Sequence, residues 1–416
     1  MTACLFLLNS RQIEFGYIYF FLFLLYYFQR KKVDCMAKKW IKWLMITLMS
    51  AVPSLSSCSK NKSVLTNSDL LISEYLEGTG NNRAIELYNK GEKDIDLSEY
   101  RIFIYLRGDS EPGYTIELEG TLPSRNVFVV AHPEAEESVL EKADQISEKL
   151  MFNGSQQIAL AKGKKVIDLI GIMGTSYSYE SDVTLVRKTA CMESKSVWDE
   201  YDWIRYGADN VNYLGNVDNS VTPEELEAGP QIDETYLSAS FIEDAEKNIT
   251  GGGLIDVTLY AGVDGDTAKF YYPSSTGIAN GTKVRFQNIN TPESYTENVQ
   301  PWGIPAKFWV TERLEEATRI QLQSQPNGTL YETFDRVLAW VWTDGELLNY
   351  KIVRKGFSDI AFGTTDNLIY KDITYTNWLY DARLYAERNG LGIWGEKDPY
   401  WDYENNKSTY DGYFEI

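Results

Sequence analysis

Hydrophobic and polar residues alternate over short stretches of the chain between residues 69 and 216. A two-residue alternation predicts strands of a sheet that buries one face. Turn-forming sequences such as Lys90-Gly91-Glu92 separate these stretches. We therefore predict an all-β sandwich over residues 69–216. Its strands are expected at residues 70–75, 84–89, 101–106, 127–131, 157–161 and 166–170, and the charged run 134–149 is expected to form one surface helix.

The pattern changes after residue 250, where apolar stretches of strand length are mixed with helical periodicity. Strands are predicted at residues 254–260, 268–272, 283–289 and 337–342. Helices are predicted at 305–317, where Pro305 lies in the first turn, at 347–355, and at 378–388, where Asn389-Gly390 ends the helix. This order predicts a small β-barrel with three packed helices over residues 251–398.

Residues 217–250 are acidic and polar, and Gly251-Gly252-Gly253 follows them. This composition is typical of a solvated linker. We therefore expect the two folded regions to be independent of each other. The predicted fold class is mainly β, with a sandwich followed by a barrel.

The N-terminal part of the chain has the layout of a secretory signal over residues 36–58. A basic segment that starts at Met36 precedes an apolar segment, residues 43–52, and Leu55-Ser56-Ser57-Cys58 ends the signal. These four residues resemble the lipobox of bacterial lipoproteins, in which the cysteine carries the lipid. We expect Cys58 to anchor the protein to a membrane of the bacterial cell envelope, on the periplasmic side or at the cell surface. An ordinary cleaved signal or a membrane anchor is the alternative.

Composition narrows the chemistry that the folded regions can perform. The 416 residues carry a net charge of −20, which argues against nucleic-acid binding through a broad basic face. The chain has one histidine, His132, which excludes zinc sites built from several histidines. Of the four cysteines only Cys191 lies in a predicted folded region, so no disulfide is expected there.

Several residues suited to phosphodiester chemistry lie close together in the second region. Asp266 in Asp264-Gly265-Asp266 offers hard oxygen for a cation such as Ca²⁺. Arg285 and Arg336 each offer a planar, permanently charged guanidinium group that matches a phosphate. Glu293, in Thr291-Pro292-Glu293-Ser294, offers a carboxylate that could deprotonate a water molecule.

The first region resembles the bacterial lamin-tail domain. The resemblance is carried by Ile72-Ser73-Glu74-Tyr75, by residues 81–89 and by Asp96-Leu97-Ser98-Glu99-Tyr100. It implies an immunoglobulin-like β-sandwich that serves as a binding or positioning module, with a ligand that the sequence leaves unknown. It implies no catalytic residues.

The second region resembles the staphylococcal-nuclease (thermonuclease) family. Besides the residues above, the resemblance is carried by Trp302-Gly303-Ile304-Pro305-Ala306-Lys307, Arg336-Val337-Leu338-Ala339 and Gly392-Ile393-Trp394. It implies an OB-fold β-barrel with three helices and Ca²⁺-dependent cleavage of DNA and RNA. Arg285 and Arg336 would clamp the phosphate and Glu293 would be the general base. Asp266 would bind the metal, together with Asn290 and the carbonyl of Thr291.

Two departures from the family pattern keep a second hypothesis open. Asn290 stands where family members usually have a second aspartate ligand. The aromatic positions with which the family grips a nucleotide fall near Phe362 and Thr364. The alternative is a non-catalytic envelope lipoprotein that uses both domains for adhesion or nucleic-acid binding.

Overall fold

The structure, a computed structural model, describes residues 65–106, 108–175, 181–217, 221–295, 298–361 and 368–410. The predicted signal over residues 36–58, with Cys58, lies outside the described residues, as do Phe362 and Thr364. Among the helices of the described ranges, none is long and apolar enough to cross a bilayer.

The first region is built from short strands whose apolar residues alternate towards a shared interior. Its elements are β1 Leu70–Glu77, β2 Arg83–Asn89, β3 Ile95–Asp96, β4 Tyr100–Tyr105, β5 Pro112–Glu117, β6 Thr121–Leu122, β7 Val127–Ala131, α1 Glu137–Leu140, β8 Gln145–Ile146, β9 Gln157–Lys162, β10 Lys165–Ile170, β11 Val183–Arg187 and β12 Trp203–Gly207.

Two sheets pack face to face in this region, as the alternation predicts. One has the strand order β12-β11-β1-β2-β7-β8 and the other has the order β10-β9-β4-β5. Ile72, Ile85, Leu160 and Leu185 belong to the core between them and are almost fully buried. The predicted immunoglobulin-like sandwich is confirmed.

The run at residues 134–149 does not form the single surface helix that its charge predicts. Only α1 is helical, because the segment folds back onto the outer face of the sheet. Val139 is fully buried there among apolar residues that include Leu76 and Val129. The Asp144 side chain accepts a hydrogen bond from the Val129 amide at 2.8 Å, and β8 then pairs with β7.

The second region contains more helix and a longer pair of strands. The elements from residue 221 onwards are α2 Pro223–Ala228, β13 Ile242–Asp244, β14 Ile249–Thr250, β15 Leu254–Asp264, β16 Thr267–Tyr271, β17 Lys283–Phe286, β18 Ile289–Asn290, α3 Gly303–Glu316, β19 Ile320–Gln323, β20 Val337–Thr343, β21 Glu346–Leu347, α4 Leu348–Arg354, β22 Asp359–Ile360, β23 Ile369–Tyr370, β24 Ile373–Thr374, α5 Tyr375–Asn389, β25 Trp401–Asp402 and β26 Lys407–Ser408.

The six strands β17-β16-β15-β19-β20-β21 form one sheet, and parallel pairing of β17 with β20 closes it into a barrel. Phe270, Val284 and Phe286 point into the barrel and are at most 1% exposed. The three helices α3, α4 and α5 correspond to the predicted ones, with α3 and α5 each beginning two or three residues earlier. The predicted OB-fold barrel is confirmed.

The polar segment before the barrel is not a solvated linker in its described part. Its side chains Val221 and Phe241 are 2% and 5% exposed and belong to the same apolar cluster as the barrel core. The Tyr350 hydroxyl also donates a hydrogen bond to the carbonyl of Leu226. Composition misleads here because a few apolar residues spaced along an acidic segment suffice to attach it to a neighbouring core.

The sandwich and the barrel share this apolar cluster, so they form one packed unit rather than two separate bodies. Ile204 and Tyr206 of β12 lie in it. A buried ion pair joins Lys188 of the sandwich to Asp381 of α5. Burial acts to lower the pKa of Lys188, but the attraction of Asp381 outweighs it and raises that pKa.

Candidate active site

The tight turn between β15 and β16 holds Asp264 and Asp266 at one end of the barrel. Both side chains are almost fully buried, at 5% and 6% exposure. A Cβ atom on Gly265 would lie 2.7 Å from the Thr291 hydroxyl oxygen and 2.9 Å from the Ala306 side chain. Only glycine permits this close approach, which brings the turn against α3 and the segment that follows β18.

Arg285 lies opposite this turn and connects two of the predicted metal ligands. Strand alternation places it outside the barrel, between the buried residues Val284 and Phe286. Its Nη1 atom lies 2.6 Å from Oδ2 of Asp266, and its Nη2 atom donates a hydrogen bond of 2.9 Å to Oδ1 of Asn290. The structure therefore pairs the predicted phosphate clamp with the predicted metal ligands, which the sequence pattern did not indicate.

Thr291 joins the same group of residues through its backbone. Its amide donates to Oδ2 of Asp266 at 2.9 Å, while its buried hydroxyl oxygen has no hydrogen-bond partner among the residues that the structure describes. Asn290 is fixed by its own amide, which donates to the Ser358 hydroxyl at 2.8 Å. Among the described residues, Oγ1 of Thr291 is therefore a buried oxygen atom of the site without a hydrogen-bond partner.

Glu293 has an exposed side chain on a backbone that is held from several sides. Its amide donates to Oε1 of Gln300, and its carbonyl accepts from the Gln300 amide at 2.9 Å. A Cβ atom on Gly303 would lie 2.1 Å from the Glu293 carbonyl oxygen, so the start of α3 closes against this segment. A carboxylate held this way on a fixed backbone is suited to proton transfer with a bound substrate or water.

Arg336 immediately precedes β20 and follows a turn in which Asp335 has a positive φ of 57°. Its Nε atom donates to Glu332 at 2.8 Å. Its terminal nitrogens make no hydrogen bond within the described ranges, so they are available to an anion. The Phe334 ring, which is 76% exposed, lies 5.6 Å from this guanidinium group.

The hydroxyl of Tyr295 lies within reach of the charges of several of these groups. Burial raises the pKa of Tyr295, the charges of Asp264, Glu293 and Asp266 raise it further, and the charge of Arg336 lowers it. The contacts between side chains bring together Arg285, Asp266, Asn290 and Thr291 of the predicted site residues. Glu293 and Arg336 make no direct contact with them within the described ranges.

Several neighbours of the site were not singled out from the sequence. Glu332 orients Arg336, Tyr295 stands among the charges, and Lys307 lies on the first turns of α3. Burial lowers the pKa of Lys307, and the charge of Asp264 acts in the opposite direction. Tyr295 could have been found from its position two residues after Glu293, whereas Glu332 carries no signal except its spacing from Arg336.

The donor atoms at this site are those that Ca²⁺ prefers. Within the ranges that the structure describes, no group of three or more Asp, Glu, His or Cys side chains is close enough to hold a metal ion. Two carboxylates, the Asn290 amide oxygen and the unsatisfied Thr291 hydroxyl nevertheless form a set of hard oxygen atoms. Burial, with smaller contributions from the charges of Asp266 and Glu293, raises the pKa of Asp264 to about 6.

Each of the two folded regions matches a protein-family model. Residues 64–174 match the model "Lamin Tail Domain", and residues 283–396 match the model "Staphylococcal nuclease homologue". The chain joins a lamin tail domain to a staphylococcal nuclease homologue domain. Both resemblances inferred from the sequence are therefore confirmed at the level of the domain.

Curated relatives of the nuclease homologue domain have nuclease names. "SPbeta prophage-derived endonuclease YokF" of Bacillus subtilis (strain 168) is 34% identical over 121 residues, which is 29% of this chain and 38% of the relative. "Endonuclease YncB" of the same organism is 32% identical over 147 residues, 34% of this chain and 63% of the relative. "Thermonuclease" of Staphylococcus intermedius is 26% identical over 115 residues, 27% of this chain and 62% of the relative.

This chain thus matches less than two thirds of the length of each of these relatives. The similarity supports a nuclease-type hydrolase, and it concerns the domain that contains Arg285, Glu293 and Arg336.

Proposed function

We propose that this protein is a Ca²⁺-dependent nuclease that hydrolyses phosphodiester bonds of DNA or RNA outside the cytoplasm. The observation that carries the proposal is the contact of Arg285 with Asp266 and Asn290 in the barrel, together with Glu293 and Arg336 in the residues that match a nuclease homologue. Two arginines suit a substrate that carries negative charge, and a nearby carboxylate suits the activation of a water molecule for hydrolysis.

Each side chain has a distinct role in this proposal. The terminal nitrogens of Arg336 bind a non-bridging phosphate oxygen, and Arg285 on the neighbouring strand β17 binds a second one. Negative charge grows on the phosphate oxygens as the bond breaks, so fixed guanidinium groups lower the barrier. Glu293 accepts the proton of the attacking water, because its carboxylate is exposed while its backbone is fixed by Gln300.

Asp266, Asn290, Thr291 and Asp264 would hold the cation. A bound Ca²⁺ supplies positive charge that polarises the phosphate. Asn290 contributes an uncharged oxygen, which favours weak binding of the ion, since affinity for Ca²⁺ follows the charge of the ligands.

Asn290 is also the observation that favours the second candidate function, a non-catalytic lipoprotein that binds nucleic acid or serves adhesion. In that case Arg285 would stay paired with Asp266 and Asn290 as an ordinary structural contact. The presence of Glu293 together with Arg285 and Arg336 favours the enzyme over this alternative, since binding alone requires no general base.

We further propose that Cys58 carries a lipid that holds the protein at the cell envelope, and that the lamin tail domain positions the nuclease domain there. The shared apolar cluster supports a positioning role, because the two domains are packed together rather than tethered. Replacing Cys58 with alanine should then move the protein from the membrane fraction to the soluble fraction. An unchanged distribution would refute the lipid anchor.

The enzyme proposal is tested by incubating the purified protein with plasmid DNA and with RNA, once with Ca²⁺ and once with a chelator. We expect degradation with Ca²⁺ and none with the chelator, and products that end in a 3′-phosphate. Intact nucleic acid in both conditions over a wide Ca²⁺ range would leave the binding role as the function.

A further inference from the structure

The segment between β11 and β12 joins the sandwich to helix α5 of the barrel through two ion pairs. The ammonium group of Lys188 pairs with the carboxylate of Asp381, and these residues are only 5% and 9% exposed. Asp199 pairs with Arg388, which lies seven residues further along the same helix. Seven residues are about two helical turns, so the sandwich holds α5 at two separate positions.

On the side of the sandwich, these contacts end in a network of buried charges. Lys195 forms ion pairs with Asp199, at 3.3 Å, and with Asp202. Arg187 forms an ion pair with Asp168 at 2.6 Å. Apart from Asp199, these residues are at most 3% exposed. Removing one partner of a buried pair leaves an uncompensated charge, so such a network resists rearrangement. This part of the sandwich is therefore a fixed support for α5.

The first turn of α5 in turn holds the residue that precedes β18. Asn288 has a positive φ of 56°, a conformation that few residues other than glycine adopt. Its Nδ2 atom donates a hydrogen bond of 2.7 Å to Oγ1 of Thr376 in α5, and its carbonyl accepts from the Ala361 amide at 2.9 Å. Because β18 begins at the next residue, its direction depends on the position of α5.

The strand β18 leads directly into the oxygen ligands that the sequence predicted. Oδ1 of Asn290 accepts a hydrogen bond of 2.9 Å from Arg285, and the amide of Thr291 donates one of 2.9 Å to Asp266. A displacement of β18 by about 1 Å would lengthen these contacts beyond hydrogen-bond distance. The geometry of the candidate active site therefore requires β18 to stay in one place.

We propose that the sandwich positions the ligand strand of the candidate active site. It holds α5 through Lys188 and Asp199, and α5 holds β18 through the hydrogen bond between Thr376 and Asn288. Lys188 and Thr376 are thus positioning residues that lie outside the site. The inference rests on the proposed function for its effect on Ca²⁺, and it gives the lamin tail domain a role that does not depend on a membrane anchor.

The first test measures amide hydrogen exchange of the full chain by mass spectrometry, with chelator present. Thr376→Val removes the hydrogen-bond acceptor at nearly constant shape, and Lys188→Met removes an ion pair with α5. Each should speed exchange in residues 287–294 by about 5-fold or more and leave residues 267–272 of the barrel unchanged. Arg319→Met, which removes an exposed ion pair of the barrel, is the matched control and should exchange as the wild type does.

A double variant separates loss of positioning from the cost of a buried unpaired charge. Lys188→Met/Asp381→Leu replaces the ion pair with apolar side chains that fill a similar space, so exchange in residues 287–294 should return towards the wild-type rate. Wild-type exchange in these residues for both Lys188→Met and Thr376→Val would refute the proposal. Exchange that rises equally throughout the barrel would also refute it, because it would reflect general destabilisation.

The second test measures Ca²⁺ binding by calorimetry and distinguishes this inference from the proposed function. Thr376→Val and Lys188→Met should raise the Ca²⁺ dissociation constant by about 5-fold or more, whereas Arg319→Met should bind as the wild type does. Faster exchange in residues 287–294 of both variants, in a protein whose wild type binds no Ca²⁺, would support the positioning role and refute the proposed function. Unchanged Ca²⁺ affinity in both variants of a protein that binds the ion would refute the positioning of its ligands.

Discussion

At the scale of the residue, the site has fewer positively charged side chains than side-chain oxygen atoms that can pair with them. Arg285 is shared between Asp266 and Asn290, and Arg336 has one carboxylate partner in Glu332. Their residue types and their order in the chain could be predicted from the sequence. The pairing of Arg285 with both predicted ligands could not, because it depends on which side chains meet when β17 comes to lie beside the turn after β15.

Asn290→Asp should lower the Ca²⁺ concentration that gives half-maximal cleavage. The change adds a negative charge to a ligand oxygen, and a contact with a charged group contributes about 1–3 kcal/mol, which corresponds to roughly 5- to 150-fold in affinity. The measurement is the cleavage rate against Ca²⁺ concentration. Asp359→Asn, on the strand that pairs with Asn290, serves as a control for local charge. A wild type and an Asn290→Asp variant with the same Ca²⁺ dependence would exclude Asn290 as a ligand.

Glu74 offers a second test at this scale, in the sandwich. The side chain is 1% exposed and neither carboxyl oxygen has a hydrogen-bond partner among the described residues. Burial raises the pKa of Glu74, and the neighbouring Glu86 raises it further. The folded state therefore binds the proton more tightly than the unfolded state, and the stability that this proton provides is lost as the pH rises above the unfolded value near 4.5.

Glu74→Gln removes this ionisation and should make stability less sensitive to pH. Relative to the wild type, the variant should gain about 1–3 kcal/mol in free energy of unfolding between pH 5 and pH 8. Urea unfolding at the two pH values measures the difference. Glu119→Gln, at an exposed position, should leave the pH dependence unchanged. The same wild-type pH dependence in Glu74→Gln would mean that Glu74 is not buried in solution.

At the scale of the element, local sequence patterns predicted most strands and helices correctly. They failed for segments whose conformation depends on contacts with residues distant in the sequence. The alternation in β16 and β17 and the stop signal at Asn389-Gly390 have local causes, and these elements are where the sequence places them. The charged residues 134–149 were predicted to form one helix. Instead, contacts of Val139 and Asp144 with the sheet hold this segment against it. The tail after Trp394 forms the hairpin of β25 and β26, and Tyr400 beside it packs edge-on against Phe308 of α3 at a centroid distance of 6.1 Å.

The tail contributes to the site through Asp398. This buried carboxylate accepts a hydrogen bond of 2.6 Å from the amide of Trp302, which has a positive φ of 72°. A bulky residue adopts this conformation only when its surroundings enforce it. Trp302 adjoins Gly303, whose backbone closes against Glu293. Asp398 is therefore a positioning residue for the segment that carries Glu293.

Asp398→Ala should release the turn at Trp302 and lower kcat by about 10-fold or more, with a smaller change in KM, since misplacing a catalytic group reduces the rate rather than the affinity. Asp402→Ala, in the same tail but with its side chain bonded only within the hairpin, is the control. A general loss of stability without a change in kcat for the remaining folded protein would show that Asp398 has only a structural role.

At the scale of the whole molecule, composition gave the wrong picture of how the domains are joined. Residues 217–250 are acidic enough to read as a solvated linker, and the barrel was expected to be independent. In the structure Val221 and Phe241 enter the barrel's apolar cluster, and Ile204 and Tyr206 of the sandwich join it. A linker is identified by what its few apolar residues contact, and that is decided by the tertiary fold.

A fragment that begins at Gly251 should be less stable than a fragment that begins at Val221, because it lacks side chains such as Val221 and Phe241 that belong to the cluster. Full burial of such a side chain is worth about 1.5–3 kcal/mol. Thermal unfolding followed by tryptophan fluorescence compares the two fragments with the full chain. Equal midpoints for both fragments would mean that the segment does not stabilise the barrel.

The central claim is that Glu293 handles the proton of a water molecule in a Ca²⁺-dependent cleavage, and Glu293→Gln tests it most directly. The measurement pairs Ca²⁺ binding by calorimetry with the cleavage rate of a labelled oligonucleotide at saturating Ca²⁺. We predict wild-type Ca²⁺ affinity in the variant and a cleavage rate lower by about 100-fold or more. Cleavage at the wild-type rate in Glu293→Gln, or no cleavage by the wild type at any Ca²⁺ concentration, would contradict the account.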